Sequence, residues 1–160
     1  MDGFRIGFGY DAHRFTEGRP LIIGGIRIPH DLGLMGHSDA DVLTHAIIDA
    51  LLGALSMGDI GSHFPDDDPA YRGVESTLLL DKVMQWVRTD GYRVGNIDAT
   101  IVAEEPRLAP HVEAMKKRLS GILGTEEARI SIKATTNERM GFCGRGEGMA
   151  AYAVVCLTEA

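Results

Sequence analysis

Apolar residues recur along this chain with two periods, and the switches between them outline its elements. Phe4, Ile6, Phe8 and Tyr10 alternate with Arg5, Gly7 and Gly9, the period of two that marks a strand, here with one face reduced almost to bare backbone. "PLIIGGIRIP" reads as a hairpin about Gly24 and Gly25. From Val42 the period lengthens: Val42, Leu43, Ala46, Ile47, Ala50, Leu51, Ala54 and Leu55 make the apolar face of a helix. Ser38 is its expected N-cap, with Asp39 and Asp41 in the first turn. "SHFPDDDPAYRGVES" reads as an acidic, turn-rich loop. "TLLLDKVMQWVRTDGY" predicts a second helix stopping near Gly91, and "APHVEAMKKRLSGILG" a third that opens at Pro110 and closes at Gly124. "YRVGNIDATIVAEE", "ARISIKATT" and "GMAAYAVVCLT" complete the set as strands.

The order β-β-α-α-β-α-β-β predicts an α/β (α+β) sandwich, a mixed, mostly four-stranded sheet with helices on one face. The first and last strands are apolar or small-sided on both faces, whereas helices in a chain this short cover only one. Neighbouring subunits are expected to cover the other. No linker, repeat or composition shift divides the 160 residues, so residues 1–160 read as one domain.

Composition works by exclusion. A net charge of −7 and a pI near 5.3 argue against nucleic acid and anionic membranes as partners. No apolar run approaches the ~20 residues of a membrane span. "MDG" leads straight into the first strand pattern, so no leader is expected, and Cys143 and Cys156 are too few for a disulfide scaffold. A cytoplasmic protein with reduced thiols is the expectation.

Candidate chemistry begins at "GFGYDAH". Asp11 and His13, two positions apart at the end of the first strand, fall on one side of an extended segment and point out of one edge of the sheet. His45, flanked at four-residue spacing by Asp41 and Asp49, would complete three ligands suited to zinc with one position open. Asp41 or Asp49 would fix its tautomer. Spacing alone leaves open a surface Asp and two histidines that hydrogen-bond locally, because D-x-H is far less specific than H-E-x-x-H. Two segments suit phosphate oxygens: "GHSDAD", with Gly36, His37 and Ser38 at a helix start, and "KATTNERMGFCGRGEG", with Lys133, Thr135, Thr136 and Arg145. Glu138 beside the second would repel a phosphate unless a hard cation such as Mg²⁺ lay between them. Asp66, Asp67 and Asp68 read either as a cation or hydroxyl contact or as a solvated turn, and His30, His63 and His111 read as structural.

"GYDAH", "IIGGIRIP", "GHSDADVLTHAIIDALLGAL", "GDIGSHFPDDDP", "GNIDATIVAEEPRLAPH" and "KATTNERMGFCGRGEG", in this order, span essentially the whole chain. Together they resemble the 2-C-methyl-D-erythritol 2,4-cyclodiphosphate synthase family. The resemblance implies cyclisation of 4-diphosphocytidyl-2-C-methyl-D-erythritol 2-phosphate, whose 2-phosphate oxygen attacks the β-phosphorus and expels CMP. It implies zinc on Asp11, His13 and His45, and Mg²⁺ or Mn²⁺ at Glu138, bridging the α- and β-phosphates. His37 and Thr136 would stabilise the transition state. Asp11, Ala12, His13, Ser38, Thr135, Asn137 and Glu138 would lie along the bound substrate.

The same resemblance assigns Asp59, Ile60 and Gly61 to the ribose and diol region and Phe64, Pro65, Asp66, Asp67 and Asp68 to the methylerythritol phosphate. Ala103, Glu104, Glu105, Pro106, Arg107, Leu108 and Ala109 would receive the cytidine. It implies a homotrimer with active sites between subunits, and places Phe142, Arg145 and Glu147 near a threefold axis where some members hold an isoprenoid diphosphate. Cys143 stands where the family's pattern has Thr or Ser, and Arg107 where Lys is frequent. Two rivals compete: a zinc phosphohydrolase, and a non-catalytic trimer that senses isoprenoid diphosphates.

Overall fold

The alternation that opens the chain belongs to a longer strand than its apolar residues mark. In the computed structural model, which describes residues 3–160, β1 runs over Phe4–Thr16, so Asp11 and His13 lie inside it and not at its end. Met1 and Asp2, where the expectation of no leader begins, lie outside the described residues. Strands β2 (Leu21–Ile23) and β3 (Ile26–Ile28) form the expected hairpin. Gly24 and Gly25 have φ of 60° and 71°, as a two-residue turn matched to strand twist requires. β4 (Gly33–Leu34) pairs with the end of β1 and makes a fifth strand that the sequence pattern does not reveal, because two residues carry no period.

Helix α1 spans Val42–Ala54, the single turn α2 Ile60–His63, and α3 Ser76–Thr89. Strand β5 (Tyr92–Val102) precedes α4 (Val112–Leu123), β6 (Ile130–Thr135), the short α5 (Gly141–Gly144) and β7 (Gly148–Glu159). Pro110 falls in a 3₁₀ turn ahead of α4 and not at the helix start itself. The sheet order is β4-β1-β7-β5-β6, antiparallel except for β5–β6, whose parallel pairing is bridged by α4. α1 lies across β1 and β7, α3 across α1 and β5, and α4 against α3 and β6. Helices therefore cover one face, as the pattern predicts.

The cap of α1 differs from expectation. Asp41, not Ser38, accepts the Thr44 N–H at 3.1 Å and the Thr44 hydroxyl at 2.7 Å. The same carboxylate accepts the N–H groups of Gly24 and Gly25 at 2.8 and 2.7 Å, so it ties the helix start to the β2–β3 turn. It is 0% exposed; burial, with help from the nearby Asp39 charge, pushes its pKa up against those hydrogen bonds. The helix N-terminus is thus already occupied by the protein's own carboxylate, and Gly36, His37 and Ser38 lie in the loop ahead of it.

Gly7 and Gly9 explain the bare face of β1. A Cβ on Gly7 would lie 1.7 Å from the Ala50 carbonyl oxygen, and one on Gly9 1.8 Å from that of Ala46. Strand and helix backbones touch there, which no other residue type allows. On the opposite face Phe4, Ile6, Phe8, Tyr10, Tyr152 and Val154 are exposed, Phe8 at 62%. Among the described residues no helix is long and apolar enough to cross a membrane.

Candidate metal centre and adjoining clefts

Residues alternate faces along β1, so Asp11 and His13 continue the row begun by Gly7 and Gly9 and face α1, not a sheet edge. There they meet His45, one residue before the Ala46 carbonyl that abuts Gly9. The glycine contact sets how close helix and strand come, and the three side chains fill the space just beyond it. His13 Nε2 lies 2.8 Å and His45 Nδ1 3.0 Å from the same oxygen, Asp11 Oδ2, and the two ring nitrogens are 3.2 Å apart.

This triangle fits a cation. His13 Nδ1–H donates to the Met35 carbonyl at 2.8 Å, which leaves the Nε2 lone pair aimed at the Asp11 carboxylate. Facing electron pairs need a positive charge between them, a proton or a metal ion. Two imidazole nitrogens and one carboxylate oxygen are a donor set that suits zinc, whose tetrahedral ligands stand ~3.3 Å from one another. Among the described residues, Asp11, His13 and His45 are the one cluster of three such groups. Burial opposes ionisation of Asp11, but when protons sit on the facing nitrogens of His13 and His45 their hydrogen bonds override it and hold the carboxyl at about 2. Burial also works against a charged His13, yet Asp11 outweighs it and raises the imidazole pKa.

The far nitrogen of His45 meets neither Asp41 nor Asp49. His45 Nε2 lies 2.7 Å from the Ser76 hydroxyl and 3.2 Å from that of Ser38. Asp41 is spent on its cap, and Asp49 accepts the Ile60 N–H at 2.7 Å, with burial raising its pKa. Ser76 lies just outside the apolar run that marks the second helix, so nothing in the local pattern singles it out.

The triad opens into a cavity of about 290 Å³ lined also by His37, Ser38, Ile60, Gly61, Phe64 and Asp66. His37 Nε2–H donates to the Asp68 carbonyl at 2.9 Å, joining the loop before α1 to the acidic segment. Phe64 is buried, stacked on Trp86 with ring centroids 5.9 Å apart, and anchors that segment. Asp59 caps α2 through the Ser62 N–H at 2.9 Å, Asp68 caps the next turn through the Ala70 N–H at 2.9 Å, and Pro65 and Asp67 are exposed. Tyr71, which also lines the cavity, had no sequence signal beyond its place in a turn-rich loop.

Thr135 and Thr136 stand elsewhere. With Ala103, Glu104, Pro106, Arg107, Leu108 and Ala109 they line a second cleft of about 470 Å³. Glu105, exposed, belongs instead to a neighbouring cleft with Glu104, Arg139 and Arg145. Glu104 Oε1 accepts the N–H groups of Asn137 and Arg139 at 3.0 and 3.2 Å, which holds Glu138 and Arg139 in left-handed backbone at φ 51° and 59°. Glu138 itself is exposed. Two cations expected there are engaged elsewhere: Lys133 pairs with Asp98 at 2.7 Å and Arg145 with Glu147 at 3.0 Å. Phe142 and Glu147 share a pocket with Tyr10 and Ala12, and Cys143 is buried against Val102 and Ala150. Ala12, Ala150, Val102 and Thr135 are partners in one row across four strands, which puts Thr135 three strand spacings, ~14 Å, from β1.

Fold and site together define an α/β protein in which two histidines and one carboxylate make a candidate metal site beside a cavity of mixed polar and apolar lining. The chain belongs to the YgbB family, whose model matches residues 4–158. It is 60% identical over 156 residues, 98% of this chain and 99% of the relative, to the 2-C-methyl-D-erythritol 2,4-cyclodiphosphate synthase of Bacillus mycoides (strain KBAB4). Among solved structures it is similar to the bifunctional IspDF from Campylobacter jejuni, with a TM-score of 0.96 and 41% identity, matching all of this chain and 43% of that longer one. It is also similar to IspF from Plasmodium falciparum in complex with CDP, with a TM-score of 0.87 and 31% identity over 99% of this chain and 98% of that one.

Proposed function

We propose that residues 1–160 act as one enzymatic domain that closes 4-diphosphocytidyl-2-C-methyl-D-erythritol 2-phosphate into 2-C-methyl-D-erythritol 2,4-cyclodiphosphate and releases CMP. This is a phosphorus–oxygen lyase reaction of non-mevalonate isoprenoid biosynthesis, carried out in the cytoplasm. The observation that carries it is the convergence of Asp11, His13 and His45 on one point at the wall of a cavity, in a chain so close to a relative of that name. Asp11, His13 and His45 would hold zinc, and Glu138 would hold Mg²⁺ or Mn²⁺. Zinc bound there supplies Lewis acidity toward a phosphate oxygen and a fixed point for a polyanion.

A chain of net charge −7 must bind a substrate of several negative charges, so local donors have to oppose the global field. His37 and Thr136 are the donors assigned to the transition state, with Ser38 and Thr135 on the phosphates. Phosphoryl transfer is mostly positioning and neutralisation of charge spreading over oxygens, and a phosphate dianion is already a nucleophile, so no general base is required. Asp59, Ile60 and Gly61 would orient the ribose and diol, Phe64 to Asp68 the methylerythritol phosphate, and the loop 103–109 the cytidine.

The ~14 Å of sheet between β1, which carries Asp11 and His13, and Thr135 supports a site shared between subunits, the metal of one facing the cytidine cleft of the next. The apolar open face of β1 and β7 is what a homotrimer would cover, and Phe142 and Arg145 would then border an axial space suited to an isoprenoid diphosphate. Incubation with the cytidine diphosphate substrate tests the reading: equal amounts of CMP and cyclic diphosphate are expected. An open-chain product would mean hydrolysis, and no turnover with either metal would overturn the assignment.

A further inference from the structure

Nε2 of His45, the nitrogen that faces away from the metal point, ends in a buried chain of hydrogen bonds. Ser76 is fully buried and its hydroxyl stands 2.7 Å from that nitrogen. The same hydroxyl donates to Asp39 Oδ1. Asp39 also accepts the N–H of Asp41 on Oδ1 and that of Ser76 on Oδ2, both at 3.1 Å, so both of its oxygens act as acceptors. A carboxylate that only accepts takes the single hydroxyl proton of Ser76. What Ser76 turns toward His45 is therefore a lone pair, and at 2.7 Å it requires a proton on Nε2. Nδ1 is left unprotonated, and it is the nitrogen 3.0 Å from Asp11 Oδ2 and 3.2 Å from His13 Nε2.

We infer that Asp39, acting through Ser76, is a positioning device that fixes His45 in the tautomer able to bind a divalent ion through Nδ1. The two histidines of the centre are set by unlike partners. His13 rests on a neutral carbonyl, that of Met35, whereas His45 leans on a negative charge one hydroxyl away. Such a carboxylate makes the imidazole a more basic ligand and holds its ring plane. Ser38, 3.2 Å from the same nitrogen, has its oxygen engaged by the Ala40 N–H at 3.2 Å and is the weaker partner. Arg19 holds the loop that presents Ser38 by donating to its carbonyl. Asp39 and Ser76 act on the ligand His45 and not on substrate.

The inference rests on Asp11, His13 and His45 being a metal site, and the experiment separates the two ideas. Zinc binding to the metal-stripped full chain is measured by competition with a chromophoric chelator, for the native protein and for His13→Ala, Ser76→Ala and Asp39→Asn. Ser76→Ala and Asp39→Asn are each expected to weaken zinc by about 10–100-fold, the usual effect of removing a ligand's outer partner. A long-range ¹H–¹⁵N spectrum of the zinc-loaded native protein needs no variant and is expected to show His45 protonated on Nε2 and bound through Nδ1. Zinc that His13→Ala releases but Ser76→Ala and Asp39→Asn hold at native affinity would overturn the relay alone. A proton on Nδ1 would do the same. A native chain that binds no zinc would overturn both readings.

Discussion

At the scale of single residues, the centre is governed by competition for lone pairs. Removing one of three ligands, as in His13→Ala, is expected to abolish stoichiometric zinc and with it turnover, as read by metal analysis of the purified protein beside the product assay. If a metal binds there, proton and metal also compete for His13 Nε2. The Asp11 carboxylate, against the effect of burial, raises that imidazole's pKa, so the proton begins to win at a pH where an ordinary histidine, at ~6.5, is still mostly neutral. The sign follows: zinc affinity is full at high pH and declines on acidification from above ~6.5, toward tenfold per pH unit for each proton bound. Titrations of zinc between about pH 5 and 8 check this, and a decline confined to lower pH would contradict it. Asp11 and His13 were legible as neighbours because strand alternation is local; His45 was legible as a ligand type but its partners were not. Ser76 lies 31 residues further on, and only a distance in space distinguishes it from other serines.

At the scale of elements, the proposed metal site depends on how tightly α1 lies on β1. The Cβ of Gly9→Ala would fall 1.8 Å from the Ala46 carbonyl, with backbone and not a pliable side chain in the way. Helix and strand would have to part, carrying His45 away from Asp11. The variant is expected to lose ~1–3 kcal/mol or more in urea unfolding and to bind zinc more weakly. Gly18→Ala is the control: its φ of 74° is strained for alanine, but its Cβ meets nothing within 4 Å. Only the ordinary left-handed penalty of ~1–2 kcal/mol is expected there, with zinc unaffected. Element types and rough limits were readable from period and glycine placement. The cap of α1 was not, because Ser38, Asp39 and Asp41 all suit an N-cap, and only the hairpin turn brought against Asp41 chooses among them.

At the scale of the whole molecule, the open face of the sheet is the surface that an assembly would cover. Phe4, Ile6, Phe8, Tyr10, Tyr152 and Val154 form an apolar patch next to Asp98 and Lys133, a charged pair on the same sheet. If the proposed trimer forms on this face, Phe8→Asp is expected to give monomers, measured by light scattering on a sizing column, with activity lost while the helix signal in circular dichroism persists. If each site draws its metal from one subunit and its Thr136 from another, two dead variants should rescue each other. Mixed after reversible dissociation, His13→Ala and Thr136→Ala chains are expected to recover a measurable fraction of native turnover, because some interfaces then carry both intact halves. No recovery in mixed trimers would show that one subunit supplies both.

The amino-acid order by itself determined what short-range physics can encode: which segments alternate, which wind, where glycines turn the chain, and which side chains carry lone pairs or charge. Tertiary structure decided the rest. It chose Asp41 over Ser38 as the cap, added β4 to the sheet, gave His45 Ser76 and Asp39 for support, and put Thr136 in a cleft other than that of Asp11, His13 and His45. The physical reason is common to all four. A hydrophobic period says that a face will be buried and a polar side chain says that it needs a partner, but only the folded distances between remote segments say which face and which partner those are.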